Sequence, residues 1–430
     1  MTPTLPRLLA STLAVAALPT LAQNTPNTHD RKWINAYYAQ WKVYSQYYAK
    51  QLVTSESAGK LNFITYAFAD IRADAKGKPR CATFDEYADF QFHFTQETSV
   101  NATNDSWATG ALSGNFHQLQ ELKQLYPKMK IILSIGGASA GTGGFEAAAK
   151  TENRQVFVQS CIDGFINGNF GATTGLNPIW DPTEKEQAAV TITPVSGIFD
   201  GFDIDWEFPT AGEKQAYLDL LQEFRSQLGK KAILTAALPA GEQNFSLFDL
   251  AGTAKELTFI NLETYDYNGP WQNETGFVAP LYQTEFDPYT NLNVNYTVQA
   301  YLSAGVPPEK ILLGIPFYGY GWTVNSGAPA DRNGQYVSAT PFASATLEYN
   351  YIATTLLPMY EIFRDRRGET PWLYDSVSTQ SFVTYDDAIS IDNKMEYVKA
   401  KNLRGAFAWE LSGDLPDGHL VNTMFWGLNQ

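Results

Sequence analysis

Between Phe202 and Phe208 apolar and acidic side chains alternate strictly. Phe202, Ile204, Trp206 and Phe208 fall at even positions, Asp203, Asp205 and Glu207 at odd ones. A period of two with aromatic and β-branched residues, closed by Pro209, predicts a strand with two unlike faces. One face is an apolar wall. The other carries three carboxylates, successive ones about 6.6 Å apart at ~3.3 Å rise per residue. An edge strand with a solvated acidic face would accept this pattern, but it leaves the bulky apolar side uncovered. A strand of an α/β barrel answers both faces: helices cover the outside, and the acids point inward, toward the strand ends where such barrels place their reactive groups.

The rest of the chain keeps a matching rhythm. Apolar runs at 33–41, 61–69, 130–137, 232–239, 257–263, 310–322 and 405–410 read as companion strands. Between them lie helical stretches near 115–126, 151–165, 217–228, 294–304 and 386–401. Alternating strands and helices predict a parallel sheet, and a 430-residue chain accommodates a single barrel with insertions. The expected fold class is α/β, a (β/α)8 TIM barrel. Polar stretches at 70–110 and 168–195 are long insertions, the first on the reactive face because it follows a strand. From 323 to 385 the rhythm breaks, and short strands at 372–375 and 381–385 predict a hairpin. The expected division is therefore a leader over 1–22, a barrel over 23–322 and 386–430, and a small α+β insertion over 323–385, between the seventh strand and the seventh helix.

Charge and cysteine content narrow the chemistry. The net charge of −15 opposes a polyanionic partner such as nucleic acid and suits a neutral or cationic ligand. Arg7, an apolar run over 8–18 and the small residues up to Ala22 form an export leader too short to span a bilayer. The chain is thus expected to be secreted, with no membrane span. Five N-x-S/T sequons, at Asn101, Asn104, Asn244, Asn273 and Asn295, would then be surface acceptors for glycans. Cys81 and Cys161 allow one disulfide or two free thiols. Four scattered histidines offer neither zinc-ligand spacing nor a Ser-His-Asp arrangement, so no metal and no cofactor are expected.

The acidic strand carries a recognisable signature. Asp200-Gly201-Phe202-Asp203-Ile204-Asp205-Trp206-Glu207 resembles the DxxDxDxE motif of the family 18 glycoside hydrolases, the chitinase family. Other landmarks follow in family order. The run 33–41 is similar to GYYAxW, 61–69 to INYAF, 134–137 to SxGG, 257–271 to INLMTYDxxGxW, and 310–322 to LGIPFYGRGW. The resemblance implies that Glu207 is the general acid and then the base, and that Asp205 orients the substrate's acetamido group. Asp203 would lie deeper and share a proton with Asp205. Tyr265 would hydrogen-bond the acetamido carbonyl, helped by Asp266, and Trp409 would lie under the sugar that is cleaved. Trp271, Tyr37, Trp41, Phe68 and Tyr320 would line the sugar groove.

The acids share one strand, so none is obviously placed to attack the far side of a sugar. In this family the substrate's own acetamido oxygen is the nucleophile. The implied activity is hydrolysis of β-1,4 links in chitin and chitin oligosaccharides, with retention, by a monomer. A carbohydrate-binding protein without activity and an endo-β-N-acetylglucosaminidase acting on N-glycans are the alternatives. Two positions depart from the family pattern: Glu263 stands where methionine is usual, and Tyr320 where arginine is usual.

Overall fold

Strict alternation becomes a barrel wall in the computed structural model, which describes residues 31–430 apart from 139, 141–142, 180–188 and 345. The leader expected over 1–22 lies outside the described residues. Eight strands form the wall: β1 (Trp33–Ala39), β2 (Phe63–Ala73), β3 (Lys130–Gly136), β4 (Gly201–Asp205), β5 (Ile233–Pro239), β6 (Phe259–Glu263), β7 (Ile311–Pro316) and β8 (Gly405–Trp409). Each pairs in parallel with the next, and β8 returns to β1, closing the barrel.

Parity decides which side chains go where. Phe202 and Ile204 of β4, and Trp206 just after it, are fully buried on the outside of the wall. Phe202 meets Phe224 of the helix Lys214–Leu228, with ring centroids 5.6 Å apart, and Trp206 stacks on Phe145 at 5.2 Å. Each such side chain contributes about 1.5–3 kcal/mol by leaving water. The inward side is polar in mid-barrel. Thr65 donates to Asn35 at 3.0 Å, Asn35 to Asn261 at 3.1 Å, and Asn261 to both Tyr37 (3.1 Å) and Asp203 (3.2 Å). Buried polar groups survive there because each finds a partner.

A second, antiparallel sheet begins at Tyr318–Val324, a strand that straddles the expected boundary at 322/323. It includes Thr370–Tyr374 and Ser381–Thr384, which pair as the expected hairpin. The stretch after β2 is less irregular than its composition suggested. Its strand Pro79–Thr83 folds back antiparallel on β2, and Cys81 is disulfide-bonded to Cys161 of the helix Arg154–Cys161. Among the described residues no helix is long and apolar enough to cross a membrane.

Candidate active site

The strand β4 ends at Asp205, three residues before the alternation does. Glu207 therefore stands just past the strand end, at the mouth of the barrel, on a chain segment turning toward Pro209. Asp205 and Glu207 border a cleft of about 740 Å3, together with Glu263, Tyr265, Asp266, Trp271, Trp409, Trp41 and Phe68. Among the described residues lining it there is no Lys, Arg or His.

Asp203 sits one layer deeper, wholly buried. It accepts from the hydroxyls of Tyr37 (2.8 Å), Ser134 (2.8 Å) and Thr235 (2.6 Å), and from the Asn261 amide (3.2 Å). Burial raises its pKa, and these four bonds oppose the rise. A carboxylate has about four lone-pair sites, so the four donors fill it. The structure makes no hydrogen bond between Asp203 and Asp205; the side-chain hydrogen bond of Asp205 runs to Glu207.

Oxygens of Asp205, Glu207 and Glu263 all lie within 4.8 Å of one another. Asp205 Oδ1 is buried with no donor beside it. The Asp205–Glu207 contact becomes a hydrogen bond only when one of the two holds a proton. Burial, followed by the charges of Glu207, Glu263 and Asp203, holds Asp205 well above the usual carboxylate range. Burial pushes Glu207 up to about 7, with the Asp205 hydrogen bond working against the rise and the Asp266 charge adding to it. Glu263 is raised in the same way, by burial and then by Glu207, Asp266 and Asp203. Three acids this close could grip a cation, but it would first have to displace their protons. At neutral pH the cluster offers a transferable proton on Glu207, near the working pH where a general acid is most effective.

The opposite rim comes from the segment after β6. The Tyr265 hydroxyl reaches Glu263 Oε1 at 3.4 Å, a weak bond that leaves it available to a ligand. Gly314 of β7 is required here, since a Cβ on it would lie 2.8 Å from the Tyr265 ring. Asp266 has a positive φ of 58°, which Asp tolerates, and accepts from the hydroxyls of Tyr318 (2.6 Å) and Tyr320 (2.8 Å). Trp409, Phe68 and Trp41 form an aromatic wall: Phe68 stacks against Trp409 at 5.8 Å and against Trp41 at 6.0 Å. Gly137 lets Phe68 lie there, because a Cβ on it would come within 2.5 Å of that ring. Trp271 stands 59 % exposed across the cleft.

The sequence and its barrel have counterparts among known proteins. The profile of the glycosyl hydrolases family 18 matches residues 34–414. The chain belongs to the glycosyl hydrolases family 18. It is 30% identical to Chitinase 1 of Aphanocladium album, over 98% of this chain and 92% of that protein. It is 31% identical to Chitinase C of Streptomyces lividans, where the match covers 89% of this chain but spans only 57% of the relative's length. The solved catalytic domain of the psychrophilic chitinase B from Arthrobacter TAD20 superposes with a TM-score of 0.79 at 30% identity, over 94% of this chain and 96% of that one.

Within this family fold, two residues expected in the sugar groove are placed otherwise. Tyr37 is 1 % exposed and uses its hydroxyl on Asp203, so it supports the acid layer from behind. Tyr320, in the position expected for arginine, is buried with its hydroxyl on Asp266 and Trp271 edge-on to it at 5.7 Å. Conversely, Glu263 and Tyr318 line the cleft without having been singled out as site residues. Glu263 was legible as a departure from pattern. Tyr318 offered no signal beyond its parity with Tyr320.

Proposed function

We propose that the protein is a chitinase that cleaves β-1,4 links between N-acetylglucosamine units with retention, by substrate assistance. The observation that carries this is the crowding of Asp205, Glu207 and Glu263 at one spot, within 4.8 Å. Glycosidases with a protein nucleophile set it ~5–5.5 Å from the acid, across the sugar. These three gather at one spot rather than across a sugar from one another, and the family is a substrate-assisted exception to that arrangement, so the nucleophile is assigned to the substrate's own acetamido oxygen.

Glu207 gives its proton to the glycosidic oxygen as the bond to the anomeric carbon breaks. The acetamido oxygen closes on that carbon, forming an oxazolinium ring. Asp205 turns its carboxyl to the acetamido N–H, while the Tyr265 hydroxyl holds the acetamido carbonyl and Asp266 fixes that rim. The Glu207 carboxylate then takes a proton from water, which opens the ring from the face the leaving group vacated. Two displacements restore the starting configuration. Trp409 stacks on the cleaved sugar, and Trp41, Phe68 and Trp271 contact its neighbours.

The raised pKa of Glu207 supports the acid role, and the disulfide suits an oxidising compartment, in keeping with export after cleavage near Ala22. Incubation with N-acetylglucosamine oligomers and, in parallel, with an N-glycoprotein tests the reading. Oligomer cleavage with no released glycan is expected; glycan release alone, or binding without turnover, contradicts it. A mature N-terminus still bearing residues 8–18 contradicts export.

A further inference from the structure

The inward face of β6 ends on a carboxyl for which the proposed reaction has no step. Parity along Phe259–Glu263 sends Ile260 and Leu262 to the outer core and leaves Phe259, Asn261 and Glu263 inside. Asn261 is committed to Tyr37 and Asp203, and Glu263 stands one layer above it, at the mouth. Glu207 and Asp205 suffice there as proton donor and acetamido partner. A third acid is surplus to them, at a position where the family pattern has methionine.

Two hydrogen bonds sort the cluster. Asp205 pairs with Glu207, and Glu263 with the Tyr265 hydroxyl, 3.4 Å from its Oε1. The Tyr265 ring is fixed edge-on to Tyr318 at 6.1 Å and to Phe407 at 6.0 Å, so what stays free is the direction of its hydroxyl hydrogen. A phenol has one hydrogen to give and lone pairs to receive another. The titratable groups around Glu263 are Asp203, Asp205 and Glu207 from β4 and the segment after it, Tyr265 and Asp266 after β6, and Tyr301 of the helix Val294–Ser303. None of these is a cation, and burial among them favours the protonated carboxyl. Protonated Glu263 carries an O–H that methionine lacks.

We propose that Glu263 is a positioning residue for Tyr265: with substrate bound, its O–H donates to the Tyr265 oxygen, which commits the phenol's own hydrogen to the acetamido carbonyl. The Tyr265–Glu263 contact reverses direction as the carbonyl arrives, and no proton leaves either residue. Hydrogen bonds in such a chain polarise one another, so the carbonyl is held more firmly and its oxygen is aimed at the anomeric carbon. The inference rests on the chitinase reading and deepens it: the acetamido group is held by a chain of two residues instead of a lone phenol.

Turnover of an N-acetylglucosamine tetramer at mildly acidic pH by the full chain tests the chain of bonds, with melting curves taken on every variant. Glu263→Met is expected to lower kcat about tenfold, the worth of one buried hydrogen bond. Glu263→Gln, whose amide also donates, is expected to recover all but about twofold of that loss. In a Tyr265→Phe background, Glu263→Met is expected to cost less than about twofold more, since coupled residues are not additive. Glu263→Leu replaces Glu263→Met if the latter does not fold. Three results would overturn the positioning role while leaving the chitinase reading in place: wild-type turnover in Glu263→Met, Glu263→Gln as impaired as Glu263→Met, or losses that multiply in the double variant. A wild-type chain inert on the tetramer overturns the chitinase reading and the positioning role with it.

Discussion

Asp203 and Asp205 share a strand and a face, two residues apart, and have opposite surroundings. Asp203 receives four hydrogen bonds, from Tyr37, Ser134, Thr235 and Asn261. Asp205 faces Glu207 and Glu263, with one oxygen bare of any donor. Burial acts on both, but donors oppose it at the first and like charges reinforce it at the second. A buried acid surrounded by donors is a fixed anchor, whereas one surrounded by acids keeps a proton to exchange. The barrel thus turns one repeated residue type into a support layer and a reactive layer.

The contrast predicts a graded set of effects. Glu207→Gln removes the proposed proton donor and is expected to lower kcat about 1,000-fold or more, with oligosaccharide binding retained in a titration. Near-normal turnover would remove Glu207 from the reactive layer. Asp203→Asn puts an amide N–H2 among four donors, and unmet buried donors cost ~1–3 kcal/mol each. A loss of about 3 kcal/mol in denaturant unfolding is expected; an unchanged midpoint would mean that Asp203 is no anchor. Tyr265→Phe deletes the hydroxyl proposed to hold the acetamido group and is expected to cost about 100-fold in kcat on N-acetylated oligomers. An unaltered rate would leave that hydroxyl without a role.

A further effect concerns stability against pH. Glu207 is raised to about 7 when folded, against ~4.3 in an unfolded chain. The folded state therefore binds this proton more tightly. The stability it lends is complete below the unfolded value and is lost as pH climbs through about 7. Melting curves from pH 4 to 8 are expected to show Glu207→Gln gaining on wild type as pH rises. The alkaline limb of kcat/KM in wild type is expected near the same pH. A gap between the two proteins that narrows with rising pH would reverse the assignment.

Much of this was legible before any coordinates. Period-two alternation placed Phe202, Ile204 and Trp206 outside and the acids inside, because sheet parity depends on sequence alone. The pocket-lining roles of Trp41, Phe68, Trp271 and Trp409 followed from the resemblance. The strand end was misjudged because alternation persists to Phe208 after ladder pairing has stopped at Asp205. The resemblance put Tyr37 and Tyr320 in the groove, but a matched position gives a place on a strand and not a depth, and both hydroxyls turn to buried acids. Glu263 was visible only as an oddity. Its meaning depends on Asp205 and Glu207, more than fifty residues away in sequence, and on the register that brings them together. The pairing of Cys81 with Cys161 was likewise left open, since it depends on the strand Pro79–Thr83 folding back beside the helix Arg154–Cys161.

The central claim is that the mouth cluster supplies only a proton and the substrate supplies the nucleophile. Digestion of a randomly, partly deacetylated chitin, with the new reducing ends identified by NMR, tests this most directly. Every new reducing end is predicted to be N-acetylated; new reducing ends bearing a free amine would contradict it.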